Sequence, residues 1–373
     1  MSKVTLSICM ATRNRGAFIG ATLESIVWQA TEQVEIIILD GASTDNTEEV
    51  VRRYQERFPR LHYSRQETNR GIDRDFAKAV DLARGEYCWL FCDDDLLKPG
   101  AIRTVLDAIK ENYALIITNS EVRNTDLSKL LEPKRLPLKR NKIYKSSENE
   151  LLLIDTVDYL SFVGCVVIKR QLWDTREKEK YFGSYFIHVG IIFQQPLPGD
   201  TLTIAEPLIS IRYANATWLD KYFEIWMFKW PDLIWSFADF PDSVKCRVCP
   251  KEPWRRLGRL LHFRAKGAYT KREYAEWLKP RLGSLWDRLV SRASAQFPGR
   301  AANLLFFIYF SVFRRPPSRL LMLLDLANSP FCFWRPRAMH RAPCTVQGQR
   351  PPVALAESRE LTRLQINAVD TNE

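Results

Sequence analysis

Unbroken apolar runs alternate, over the first third of the chain, with segments whose apolar positions recur every three or four residues. Val4–Met10 (VTLSICM), Val34–Asp40 (VEIIILD), Leu61–Arg65, the run EYCWLFC ending at Cys92 and the run YALIITNS ending at Ser120 are rich in β-branched and aromatic residues. Such runs predict strands, most of them covered on both faces. Between them lie helical patterns. Phe18, Leu23, Ile26 and Val27 mark a helix capped by Asn14 and running to Gln29. Val50, Val51, Tyr54 and Phe58 mark a second, opened by Ser43 or Asp45. Phe76, Ala79, Val80 and Ala83 mark a third, and Pro99 starts a fourth that reaches Lys110. Strands alternating with helices predict an α/β fold with a doubly wound, mostly parallel sheet, in which ligands bind beyond the carboxyl ends of the strands.

The pattern then changes twice. Glu121–Asn149 is polar and Lys-rich and reads as a flexible loop. After it come a strand at Phe162–Arg170, a short helix at Ser184–Gln194 whose Ile-rich run also allows a strand, and one or two strands at Leu202–Tyr213. Beyond Trp218, Trp and Arg become frequent and apolar residues take helical spacing, as in YAEWLKPRLGSLWDRLV. The expected organisation is a catalytic domain over 1–216, a basic, Trp-rich helical region over 217–341, and a disordered tail over 342–373 whose sequence has no periodicity.

Charge sharpens this division. The chain has 373 residues and a formal net charge of +11. Residues 245–341 hold 21 Lys and Arg against 5 Asp and Glu, a surplus of 21 − 5 = +16. That surplus implies an anionic partner. The segment NLLFFIYFSVFRRPPSRLLMLLDLANSPFCFWRPR joins long apolar faces to flanking arginines and is broken at Pro316–Pro317. An anionic membrane surface fits it better than nucleic acid, which has no use for so much aliphatic area. No run reaches the ~18 apolar residues that suggest a membrane span, and the N-terminal apolar run is too short for a secretory signal. The cysteines lie mostly in apolar runs and read as reduced thiols of a cytosolic protein. Cys246 and Cys249 form one CxxC with no second pair or histidines at zinc spacing.

The sharpest chemical signal is Asp93-Asp94-Asp95, placed directly after the apolar run that ends at Cys92. Three like charges beside a buried strand cost energy through repulsion and desolvation. A hard divalent cation, Mg²⁺ or Mn²⁺, removes that cost. Thr12 and Asn14 follow the first strand and Asp40 ends the second, so all these residues are expected on one rim.

The segments ICMATRNR, IIILDGASTDNTEEVV, NRGIDRDFAKAVDLARGEYCWLFCDDD and LKPGAI, in this order and spacing, resemble the family 2 glycosyltransferases of GT-A fold. VGCVVIKRQLW and IHVGIIFQ resemble the branch of abequosyltransferases and related O-antigen sugar transferases. The resemblance implies an inverting, metal-dependent transfer of a sugar from a nucleotide donor to a saccharide hydroxyl. The implied acceptor is lipid-linked, at the cytosolic face of a membrane, in cell-surface polysaccharide synthesis. It implies that Thr12, Asn14 and Asp40 line the nucleoside pocket, with Asp40 reading the base, and that Arg74 lies near base or pyrophosphate. Asp95 would bind Mn²⁺ or Mg²⁺ directly, with Asp93 as the second metal residue, and Asp93 or Asp94 would hold the ribose or a metal-bound water. Where relatives carry an acidic general base this chain has His188, whose imidazole titrates near neutral pH; Asp200 and Glu206 are fallback bases. Where many relatives carry a later histidine this chain has Arg212, which can pair with the diphosphate. Competing readings are a nucleotide-sugar-binding protein without catalysis and a nucleic-acid-binding protein using the basic region. A sugar nucleotidyltransferase would need a glycine-rich loop after the first strand, and MATRNRGAF lacks one.

Overall fold

The computed structural model describes residues 3–215, 219–313 and 318–332. Its strands are β1 (Leu6–Thr12), β2 (Val34–Asp40), β3 (Leu61–Arg65), β4 (Tyr87–Phe91), β5 (Leu96–Leu97), β6 (Leu115–Arg123), β7 (Leu130–Glu132), β8 (Lys142–Tyr144), β9 (Val166–Lys169) and β10 (Thr201–Arg212). They form one sheet of order β3-β2-β1-β4-β9-β6-β10-β5, with β7 on β6 and β8 on β10. Strands β3, β2, β1 and β4 run parallel, β9 is antiparallel between β4 and β6, and β10 returns parallel to β6. The winding direction changes between β1 and β4. Their carboxyl ends therefore border the crevice where such sheets bind ligands.

Helices cover both faces because successive residues of a buried strand point to opposite sides. Leu6, Ile8 and Met10 of β1 pack with Ile19, Leu23 and Ile26 of α1 (Gly16–Val27). Cys9 and Ala11 face the other way, toward Phe76 and Val80 of α3 (Ile72–Asp81). Helices α2 (Thr47–Arg57) and α4 (Ala101–Ile109) complete the first face. Helices α5 (Asn149–Leu160), α6 (Arg170–Thr175) and α7 (Ile187–Phe193) lie on the second. After Tyr213 the chain is helical: α8 (Tyr222–Glu224), α9 (Trp230–Trp235), α10 (Asp242–Val248), α11 (Leu257–Ala265), α12 (Lys271–Glu273), α13 (Leu285–Gln296), α14 (Gly299–Phe313) and α15 (Ser318–Ala327). Ile225, Trp230, Ile234 and Phe237 belong to the same core as α3, α5 and α7. The start of the basic region is thus built into the interior of the sheet domain.

Three local expectations change. Asn14 does not cap α1, whose N-cap is Arg15. Instead Asn14 takes a left-handed φ of 55° and its Oδ1 accepts the Thr44 N–H at 2.7 Å, tying the loop after β1 to the loop after β2. Glu121–Asn149 is not a free loop, because β6 runs on to Arg123 and two short strands, β7 and β8, add to the sheet. Helix α5 is an additional element, with Leu152, Leu153, Thr156, Val157 and Leu160 at helical spacing on its buried face. Pro316–Pro317 and the tail over 342–373 lie outside the described residues.

One buried charge ties the amino-terminal end of the sheet. Glu35 on β2 is fully buried and accepts the Ser7 hydroxyl at 2.6 Å, the Arg84 N–H at 2.6 Å and Arg84 Nε at 3.0 Å. Burial works to raise its pKa, but the Ser7 and Arg84 hydrogen bonds outweigh it and the net shift is downward. A group stabilised as the anion contributes stability above its unfolded pKa and loses it as pH falls through the folded value. Glu35→Gln should therefore cost about 2 kcal/mol at pH 7. In urea unfolding, the gap to the parent protein should close below about pH 4.

Candidate active site

Strand β4 is buried along its whole length. The chain leaves it through bends at Asp93 and Asp94, then enters β5. Asp93 and Asp95 are 8% and 3% exposed. The bend brings carboxylate oxygens of Asp94 and Asp95 and the Cys92 sulfur within 4.8 Å of one another, among the described residues the one such group of three metal-ligand side chains. That group takes in Asp94 and leaves out Asp93. Asp93 turns toward Thr12 and Arg15.

Two arginines answer these carboxylates. Arg15 Nε lies 3.4 Å from Asp93 Oδ1, and Arg15 Nη2 lies 3.3 Å from Asp94 Oδ2. The same guanidinium donates to the Asn215 carbonyl at 3.1 Å and 3.2 Å, while Asn215 Nδ2 donates to Asp94 Oδ2 at 2.8 Å. Arg212, at the end of β10, donates its backbone N–H to Asp95 Oδ1 at 2.8 Å and Nε to the Asp94 carbonyl at 3.0 Å. Both guanidinium groups lie by the Phe18 ring, at 5.8 Å and 5.3 Å from its centroid. Arg212 lies at this corner, where it holds the aspartate loop itself. Arg15 is a site residue that apolar periodicity could not reveal.

Ionising all three carboxyls remains costly despite the arginines. Burial and the Asp94 charge push Asp93 up to about 7, against the pull of Arg15. Burial, then Asp94, pushes Asp95 well above the carboxylate range, and burial raises Asp94. A hard divalent cation fits this donor set, with Asp94 and Asp95 as its carboxylates. The Cys92 thiol is pushed well up by burial and by the neighbouring carboxylates, so it stays protonated and is no ligand for a hard ion.

Thr12 and Asp40 are register partners at the carboxyl ends of β1 and β2. Asp40 is fully buried; its Oδ1 accepts the Ser43 N–H and its Oδ2 accepts the Tyr63 hydroxyl, each at 2.7 Å. Beside it stands Asp75, a second buried carboxylate that the sequence pattern did not single out. Gln66 Nε2 donates to Asp75, and a Cβ on Gly41 would come within 2.8 Å of Asp75 Oδ2, so only glycine permits that approach. Burial, then the Asp40 charge, raises the pKa of Asp75. Thr12, Asp40 and Asp75 therefore form one polar corner next to the triple aspartate. Asn14 stands at its edge as a loop tie. Arg74 is exposed and stacks on Phe182 at 4.2 Å, over the loop that leads into α7. Its neighbour Asp73 anchors that loop by accepting N–H groups of Gly183, Tyr185 and Ile187 at 2.8, 2.9 and 3.0 Å. Tyr185 is held there at a φ of 72°.

The expected bases do not reach this corner. His188 is 2% exposed on the buried helix α7, and its Nε2 bonds the Leu160 carbonyl at 2.7 Å. Burial lowers its pKa to about 4. It is a buried side chain that joins α7 to the end of α5. Asp200 immediately precedes β10, at the amino-terminal rim, and pairs with Lys145 at 2.8 Å. Glu206 lies within β10, exposed, and pairs with Lys134 at 3.0 Å.

The chain matches the family model described as glycosyl transferase family 2 over residues 7–171. It is 30% identical over 230 residues to abequosyltransferase RfbV of Salmonella typhimurium, covering 58% of this chain and 69% of that protein. It is 29% identical over 181 residues to the GalNAc(5)-diNAcBac-PP-undecaprenol beta-1,3-glucosyltransferase of Campylobacter jejuni, covering 48% of this chain and 56% of that one. Among solved structures, TarS 1–349 of S. aureus in complex with UDP superposes with a TM-score of 0.54 at 16% identity, over 87% of this chain and 89% of that one. At that identity the superposition establishes a shared fold.

Two outcomes check the site. Carboxyls with raised pKa values bind protons more tightly in the folded state, so their stabilisation is full below the unfolded value of ~4 and fades as pH rises toward the folded one. Without divalent ions, the Asp93 contribution should therefore decline between about pH 4 and about 7. Mn²⁺ should raise the melting temperature more at pH 8 than at pH 5, where protons compete, and Asp95→Asn should remove most of that rise. For His188, glutamine can still donate to the Leu160 carbonyl. His188→Gln should leave the shape of the pH–rate profile unchanged, while His188→Ala should lower stability by about 2 kcal/mol in denaturant unfolding.

Proposed function

The chain belongs to the family 2 glycosyltransferases, and from that premise we propose an inverting transfer of a sugar from a nucleoside-diphosphate donor to a saccharide hydroxyl. The observation that carries this reading is the concentration of buried carboxylates, answered by two arginines, at the carboxyl rim where β1 and β4 diverge. A diphosphate is a poor leaving group until its charge is neutralised. A divalent ion on Asp94 and Asp95, Mn²⁺ or Mg²⁺, supplies that neutralisation when bound.

The remaining roles belong to the chain. Thr12, Asp40 and Asp75 receive the nucleoside; the Asp40 and Asp75 carboxylates are held by Ser43, Tyr63 and Gln66, so that little reorganisation of them accompanies binding. Asp93 faces the space between the nucleoside corner and the ion-binding carboxylates and takes the ribose. Arg15 and Arg212 already lie against the aspartate loop and offer guanidinium groups to the phosphates. Direct displacement by the acceptor oxygen at the anomeric carbon inverts its configuration and requires no covalent nucleophile. The hydroxyl proton leaves to a base other than His188, Asp200 or Glu206. The acceptor fits a lipid-linked saccharide in the synthesis of cell-surface polysaccharide. Support for that choice comes from likeness to an abequosyltransferase and to a transferase whose named acceptor is a PP-undecaprenol.

The test is release of free nucleoside diphosphate in the presence of Mn²⁺, UDP-, GDP-, CDP- and dTDP-sugars being offered in turn with a lipid-linked oligosaccharide extract. Asp95→Asn keeps an acceptor for the Arg212 N–H and should fold normally, yet lose at least about a hundredfold in turnover. Full turnover by that variant would remove the carboxylate from the mechanism. Donor binding without release by the parent protein would leave a binding protein in place of an enzyme.

A further inference from the structure

We propose that helix α14, with the amino-terminal turns of α13, docks this protein onto an anionic lipid surface, lying in the plane of the interface. The evidence is an inversion of the usual helix pattern. A surface helix turns its polar residues outward. On α14 the outward positions are Leu304, Leu305, Ile308, Tyr309, Val312 and Phe313, all exposed and spaced i, i+1, i+4, i+5, i+8, i+9. They make one continuous stripe without a charge. Phe313 is 70% exposed. The opposite side of the helix is satisfied within the protein. There Ala302 and Phe310 pack with Ala265 and Leu326, and Asn303 donates to the Ala265 and Leu326 carbonyls at 3.1 Å and 3.0 Å. The stripe is therefore not an internal face awaiting a partner from the described fold. Helix α13, which like α14 packs on α11, adds Leu285 and Trp286, 76% and 72% exposed, and Leu289.

Length and charge select the occupant. With 15 residues α14 is about 22 Å long, too short to cross a bilayer. Among the described residues, no helix is long and apolar enough to span one. A helix of this kind lies along the interface with its apolar face sunk roughly 5–10 Å into the headgroup boundary. Between residues 285 and 332 the sequence has six arginines and two aspartates. Both aspartates are already neutralised: Asp287 by Arg255 at 2.9 Å, and Asp325 by Lys266 at 2.6 Å. Arg288, Arg292 and Arg300 are exposed. A second copy of this chain would bring the same unbalanced arginines against their own kind. Anionic headgroups match both the apolar stripe and its cationic border.

The inference does not depend on transferase activity, and its test keeps the two apart. The full-length protein is sedimented with vesicles of phosphatidylcholine alone and with vesicles containing about a third phosphatidylglycerol. Binding to the anionic vesicles is expected, weakened by high salt, with little binding to the neutral ones. Ile308→Ser combined with Val312→Ser changes only outward side chains and should reduce that binding roughly tenfold or more. Arg292→Glu with Arg300→Glu should reduce it by a similar factor through charge alone. The Mn²⁺-induced rise in melting temperature should persist in both double variants, which reads the rim separately from the docking face. Absence of binding to anionic vesicles overturns the proposal. So does binding unchanged in both variants, or a solution dimer that the serine substitutions abolish.

Discussion

The structure turns on the cost of holding three consecutive carboxylates at the end of a strand that water does not reach. Repulsion between Asp93, Asp94 and Asp95 and the loss of their hydration both oppose ionisation, and burial dominates for each of them. The fold answers with fixed donors from distant parts of the sequence. Arg15 comes from the start of α1, the Arg212 N–H from the end of β10 and the Asn215 amide from the loop beyond it. Those donors offset only part of the cost, because all three pKa values stay raised. The cost that remains is the one that the divalent cation of the proposed function would relieve.

Sheet topology explains why these donors meet. Arg15 and Arg212 are far apart in sequence, yet β1 and β10 both point their carboxyl ends at the rim where β4 ends. The antiparallel insertion of β9 separates β4 from β6. The same polarity removes Asp200. It lies before a strand that runs parallel to β6 and therefore sits at the opposite rim from Arg212. Distance along the chain says nothing about this, and strand direction decides it.

Much of the fold could be read from the sequence because its strands are unbroken apolar runs and its helices amphipathic. Strands β2 and β3 begin and end at the residues their patterns indicate. Where polar groups do structural work, the pattern misled. Asn14 looks like a helix cap, but its left-handed backbone lets its side chain join two loops. The polar segment over 121–149 adds strands whose partners, β6 and β10, are far away in sequence, so local periodicity cannot show the pairing. His188 shows the limit of positional likeness: a residue aligned with a family's base can still be a core side chain. Two signals were nevertheless available. Asp73 and Asp75 occupy positions on the buried side of α3, where an aspartate is costly unless it holds something. Asp73 holds the loop into α7, and Asp75 closes on Gly41. Arg15 had no such signal, because a cation in a loop is ordinary until the carboxylates it faces are known.

The aspartate rim and the basic helices are joined by one short path of polar contacts. Arg212 N–H holds Asp95, and the next residue, Tyr213, donates its hydroxyl to Asp325 on α15. Asp325 pairs with Lys266 just beyond α11, and Lys266 donates to the Tyr222 hydroxyl at 3.0 Å. Helix α14 packs between α11 and α15, so the two helices that carry this path are the two that support the apolar stripe. Breaking such a path leaves the buried Lys266 ammonium without its carboxylate partner. The stripe's support and the aspartate rim are therefore coupled parts of one framework. A protein lying on a lipid surface by α14 would hold its rim at a fixed attitude to that surface. A saccharide acceptor tethered by its lipid in the same surface would then meet the rim from a restricted set of directions, and part of the orientational cost of the reaction would be met by docking before the acceptor arrives.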